Sequence, residues 1–171
     1  MPIHYRKIAA IFVRVALGLS FLSAVGDRFG LWGAAGTHNV SWGNFFAFLH
    51  YTQTLLWFLP GTFIKPMGWL ATICEFSLGT GLLIGFRLRW FALASSFLLF
   101  TFAATMTFAR GAEAAFSYSV WTASAAALLL SSIDVDEKES VHVGRNRSSA
   151  GAGDYGESDG RDESDGVHWA F

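Results

Sequence analysis

Apolar positions run in blocks too long for strands and too uniform for one-sided helices. Four segments reach the ~20 residues that a helix needs to cross a hydrocarbon core: Ile8 to Val25, Ile64 to Phe86, Trp90 to Phe108 and Ala115 to Ile133. A fifth apolar stretch, Asn44 to Pro60, carries His50, Thr52, Gln53 and Thr54 at its centre. Spanning would desolvate that polar group, so the stretch is expected at the membrane surface, re-entrant, or tucked against the bundle. A fifth span is the alternative, and it would put the two termini on opposite sides.

The connections sharpen this outline. Only Arg87, Leu88 and Arg89 separate the second and third spans, and Ala109 to Ala114 separate the third and fourth, so these helices are antiparallel neighbours. The glycine-rich linker Gly26 to Gly43 contains Trp32 and Trp42, residues suited to the headgroup region. The expected fold is therefore all-α: an integral membrane four-helix bundle over residues 1–133, with an amphipathic surface or re-entrant helix between the first and second spans. A cleaved signal peptide ending near Ala24-Val25-Gly26 is the competing reading of the N-terminus, but Arg14 interrupts its apolar run.

Composition agrees with a membrane chain, at 53% hydrophobic and only 15% charged residues. The overall charge of −1 hides two unlike parts, because 10 of the 13 acidic residues fall in 134–171. That tail carries −6 and the body +5. Rich in glycine, serine and acid, the tail 134–171 is expected to be disordered and, from its charge, unsuited to nucleic acid. Its apolar end, Val167 to Phe171, reads as a frayed terminus or a short docking segment. Basic residues beside the spans favour a cytoplasmic N-terminus: Arg6, Lys7, Arg87, Arg89 and Lys138 on one side against Arg28, Lys65 and Arg110 on the other. Both termini are then cytoplasmic, in a bacterial inner membrane.

Several chemistries are closed. One cysteine, Cys74, allows no intrachain disulfide, no dithiol exchange and no cysteine metal cluster. The histidines, His4, His38, His50, His142 and His168, form no helical pair, and none lies in a long span, so neither metal binding nor bis-histidine haem is expected. The glycines of "GTGLLIG" lie inside a span, where they serve close helix packing rather than phosphate binding. The Asn39-Val40-Ser41 sequon matters only in a secretory-pathway host.

Glu75 is the residue this setting makes conspicuous. A charged carboxylate at mid-span costs several kcal/mol unless it is paired or hydrated. Gly68, Ala71, Glu75 and Gly79 recur at spacings of three and four, which puts Glu75 on a surface of small residues that another helix can approach. Arg14 is the nearest basic partner by depth, offset by roughly 7–8 Å at 1.5 Å per residue. Two roles stay open for Glu75 and Arg14: a structural pair, or the polar wall of a ligand or proton pocket. Thr72, Thr101, Thr105 and Trp121 are candidate lining for such a pocket. Asp27 and Arg28, at the outer end of the first span, are either an ordinary interfacial charge pair or the mouth of the pocket.

The stretch "RVALGLSFLSAVGDRFG" resembles the first-helix pattern of the DoxX-like membrane proteins, with Arg14, Gly18 and Gly26-Asp27-Arg28-Phe29 in the matching places. "ATICEFSLGTGLLIGFRLRWFALA" looks like the family's second-helix pattern, and "SVWTASAAALLLSSID" like its closing helix. The resemblance covers about residues 8 to 133. It implies a four-helix membrane protein with a re-entrant or surface segment after the first span. Some members are associated with thiosulfate:quinone oxidoreductase complexes or with thiol- or radical-detoxifying assemblies. The implied function is a redox-associated subunit that binds a quinone-like or other apolar molecule near Glu75, alongside a membrane or peripheral redox partner protein. The alternative is a non-catalytic scaffold or anchor, because no self-sufficient catalytic motif is present.

Overall fold

The structure is a computed structural model and describes residues 3–133; the expectations for the acidic tail lie outside them. Every regular element there is helical. They are α1 (Ile3–Arg28), α2 (Phe45–Leu55), a 3₁₀ turn (Gly61–Phe63), α3 (Ile64–Ile84), α4 (Leu88–Arg110) and α5 (Ala112–Ser117), followed by α6 (Val120–Ile133). Three helical stretches, His4–Arg28, Gly61–Ile84 and Leu88–Arg110, are long and apolar enough to cross a membrane.

Their outward faces say the same. Ile8, Ile11, Phe12 and Leu19 of α1, Leu70, Ile73 and Phe76 of α3, and Phe97, Phe100 and Phe108 of α4 are all exposed. So much contiguous apolar surface is untenable in water and ordinary against lipid. This is the architecture of a helical integral membrane protein.

The core is shared by four helices: Leu17 and Phe21 of α1, Leu82 of α3, Ala92 of α4, and Ala127 and Leu130 of α6. Small residues bring the helices together. A Cβ on Gly79 would stand 3.0 Å from the Gly18 carbonyl and 3.1 Å from Leu22 and Phe21, while one on Gly81 would enter the Phe91 ring. The antiparallel register of α1 and α3 follows: Gly18 faces Gly79 and Leu83, and Arg14 faces Gly85. α3 stops at Gly85, whose φ of 79° is the left-handed conformation glycine adopts freely and whose N–H closes on the Gly81 carbonyl. Arg87, also left-handed at φ 45°, starts α4.

Two expectations about boundaries change. α1 continues past Val25 to Arg28, which carries Asp27 and Arg28 into the fold. The fourth apolar segment is not one helix: it breaks at Tyr118 and Ser119, where Ser119 has φ 55° and its N–H bonds to the Phe116 carbonyl. Serine competes poorly for helix interior positions, and the Ser-Tyr-Ser sequence turns there instead. The described α6 is about 21 Å long at 1.5 Å per residue. α2, with 11 residues, is about 16 Å long and too short to be a fifth span; it packs on α3 and α4.

Candidate functional site

The longer α1 decides which charge meets Glu75. At its last residue, Arg28 extends its side chain to α3. Its Nη2 donates to Glu75 Oε1 at 2.6 Å and Oε2 at 2.7 Å, and its Nη1 donates to Thr72 Oγ1 at 2.7 Å. Thr72 in turn donates to the Gly68 carbonyl at 2.8 Å, so one hydroxyl both receives the guanidinium and is tied to its own helix. Both charged side chains are 3% exposed. The small-residue stripe explains the burial: Gly68, Thr72, Glu75 and Gly79 all lie on the buried face of α3.

α2 and the preceding linker close the site from above. The Arg28 guanidinium carbon sits 3.8 Å from the centre of the Phe48 ring and 5.5 Å from that of Trp42. Trp42 and Phe48 meet edge to face at 5.4 Å. A cation whose edge is hydrogen-bonded and whose face is covered by an aromatic ring is well compensated for its lost water. Asn44 starts α2 by accepting from the Ala47 N–H at 2.8 Å, which directs Phe48 inward. Phe29, Phe45 and Trp69 stack beside it, with Phe45 and Trp69 rings 4.6 Å apart.

Asp27 holds the linker rather than its neighbour. Its Oδ2 accepts from the Trp42 N–H at 2.9 Å and its Oδ1 from the Gly43 N–H at 3.4 Å. Gly43 has φ 66° and lies so close to Ala34 and Ala35 that no side chain fits. Asp27 therefore positions Trp42 over Arg28. Asp27 and Arg28 are not an ordinary interfacial charge pair, since the two are 6% and 2% exposed and bond to different partners.

Arg14 is not the partner of Glu75. In the observed register it lies beside Gly85, ten residues or about 15 Å along α3 from the carboxylate. The packing register decides this: with Gly18 against Gly79 and Arg14 beside Gly85, the N-terminal part of α1 overhangs the Gly85 end of α3 instead of lying level with it. Of the four lining candidates only Thr72 bonds at the site. Thr101 and Thr105 donate within α4, to the carbonyls of Phe97 and Thr101. Trp121 donates to Thr107 Oγ1 at 3.3 Å, packs against Phe100 and lines an open groove between α4 and α6 with Ser96, Ser124 and Leu128.

Phe48 and Trp42 are the site residues that sequence reasoning missed. The sequence pattern places Trp42 in the headgroup region and Phe48 in a surface or re-entrant helix. The aromatic density of "WGNFFAFLH" is the only signal in the chain that points to them.

Chemically, the arrangement is a closed ion pair. Arg28 Nε is buried and has no hydrogen-bond partner among the described residues. No three of the described His, Cys, Asp and Glu residues gather as metal ligands. On α2, burial raises the Tyr51 phenol above its usual value; Arg110, with its guanidinium carbon 5.6 Å from the ring centre, opposes that shift and Tyr118 adds to it. Comparison of the chain with family models, with curated proteins and with solved structures returns no match.

Proposed function

We propose that this chain is a DoxX-like, non-catalytic membrane subunit, a scaffold or anchor whose helices are locked by the Arg28–Glu75 pair and which presents its outer surface to a partner protein. The observation that carries the reading is the closure of that pair: both Glu75 oxygens accept from Arg28, and aromatic rings cover the guanidinium. A buried pair of this kind specifies which helix faces meet. In this reading α1, α3, α4 and the α5–α6 segment cross the bilayer, with α2 re-entrant or lying in the interface. Exposed Trp57, Phe58 and Phe63 after α2 suit that depth. Withdrawing buried Arg28 from the outer charge count leaves Lys65 and Arg110 against Arg6, Lys7, Arg87 and Arg89, which supports a cytoplasmic N-terminus in a bacterial inner membrane.

A second reading is favoured by the unpartnered Arg28 Nε. In it the same centre holds a quinone-like molecule, whose carbonyl accepts from Nε beneath Trp42 and Phe48, and the chain serves a redox partner. One experiment separates the two. Wild type and Glu75→Gln are purified in detergent and their bound small molecules identified by mass spectrometry. The scaffold reading expects no specific ligand in either and a less stable variant; a quinone-like molecule held by wild type and lost from the variant establishes the second reading instead.

A further inference from the structure

The opposite end of the bundle carries cations that the Arg28–Glu75 centre does not use. Antiparallel packing sets the Arg14 guanidinium against Gly85: a Cβ there would lie 2.7 Å from Nη1 and 3.4 Å from Cζ. Arg14 Nε is buried without a hydrogen-bond partner among the described residues. Two and four residues past Gly85, the turn into α4 exposes Arg87 and Arg89. Arg6 and Lys7, about two turns before Arg14 on α1, add positive charge to the same end.

Among the carboxylates of residues 3–133, none pairs with Arg14, Arg87 or Arg89. There are three: Glu75 is bonded to Arg28, Asp27 lies at the far end of α1, and Glu113 follows the far end of α4. The surroundings of the arginines are apolar. Arg87 lies 5.7 Å from the ring centre of Phe86 and Arg89 5.8 Å from that of Trp90, and both rings are exposed. Cations flanked by exposed aromatics at the ends of spanning helices sit at headgroup height. Arginine's planar fork suits phosphate oxygens, and the apolar rings suit the glycerol and upper chains of a lipid.

We propose that Arg14, Arg87 and Arg89 form a binding site for the phosphate headgroup of an anionic phospholipid. The proposal rests on the membrane placement of α1, α3 and α4 and is independent of what the Arg28–Glu75 centre does. Arg14 reaches the phosphate from the α1–α3 seam, while Arg87 and Arg89 approach from the turn.

The test reconstitutes the full chain into vesicles of phosphatidylcholine alone or mixed with phosphatidylglycerol. Lipid retained after gentle detergent release is counted by native mass spectrometry. Wild type retains phosphatidylglycerol in preference to phosphatidylcholine. Arg87→Gln with Arg89→Gln weakens that preference by on the order of fivefold per arginine, whereas Arg110→Gln at the other end leaves it unchanged. Arg14→Gln lowers retention, and Arg14→Lys restores part of it. Competition by inorganic phosphate at concentrations that leave phosphatidylcholine retention unchanged identifies the headgroup phosphate as the recognised group. Equal retention of both lipids by wild type, or a preference unaltered in the folded Arg87→Gln, Arg89→Gln protein, overturns the proposal. Loss of thermal stability in Arg14→Gln with unchanged lipid preference removes Arg14 from the site and leaves it as a cap on the α3 C-terminus.

Discussion

Arg28 and Glu75 lie in low-dielectric surroundings, so each depends on the other. Removing one strands a buried charge, which costs about 3–5 kcal/mol, whereas replacing both with apolar residues of similar size is often neutral. Arg28→Leu is therefore expected to unfold at markedly lower temperature or denaturant concentration than wild type. Arg28→Leu with Glu75→Leu should recover most of the loss; a double variant as unstable as the single one rejects the pin. Phe48→Ala should lose about 3 kcal/mol or more, because it removes a buried ring and uncovers the guanidinium. Tyr51 adds a pH dependence of known sign. Its raised value means that the folded state favours the neutral phenol, so its contribution is complete below the ordinary tyrosine range and fades as pH rises through that range and the higher folded-state value. Alkaline unfolding curves of Tyr51→Phe should lack that limb.

Between helices, the deciding feature is how close α1 and α3 approach. Gly18 and Gly79 leave no room for side chains, and the contact atoms are partly backbone, which does not yield. Gly79→Leu is expected to separate the helices, destabilise the bundle by several kcal/mol through overpacking, and break the Arg28 bonds with it. Gly61→Ala, where a Cβ meets nothing within 4 Å, is the matched control and should unfold like wild type. The break between α5 and α6 makes the opposite prediction: Ser119 is held at φ 55°, so Ser119→Gly should raise stability by about 1 kcal/mol. If α5 and α6 instead form one continuous helix in the bilayer, the same substitution lowers stability.

For the whole molecule, the question is which ends share a side. On a Cys74→Ser background, single cysteines at Trp57 and Arg89 should react with a membrane-impermeant thiol reagent from opposite faces, with Arg89 reactive only from the cytoplasmic side. Labelling of both from one face refutes the proposed topology.

The run lengths of apolar residues by themselves determined a membrane solvent, three of the four long helices they predict and the antiparallel order of α3 and α4, because bilayer thickness and turn length leave few alternatives; the fourth predicted span is divided at Tyr118 and Ser119. The burial of Glu75 was equally legible, since a carboxylate among Gly68, Ala71 and Gly79 has only one face on which to lie. Its partner was not. Packing register is weakly encoded, and the close contact of Gly18 with Gly79 slides α1 along α3 by a few residues at 1.5 Å each, so that Arg14 meets Gly85 and Arg28 reaches Glu75. The same holds for Phe48 and Trp42, whose role comes from how α2 folds back across the chain. Contacts between segments dozens of residues apart depend on register and loop path, and only the tertiary structure decided those.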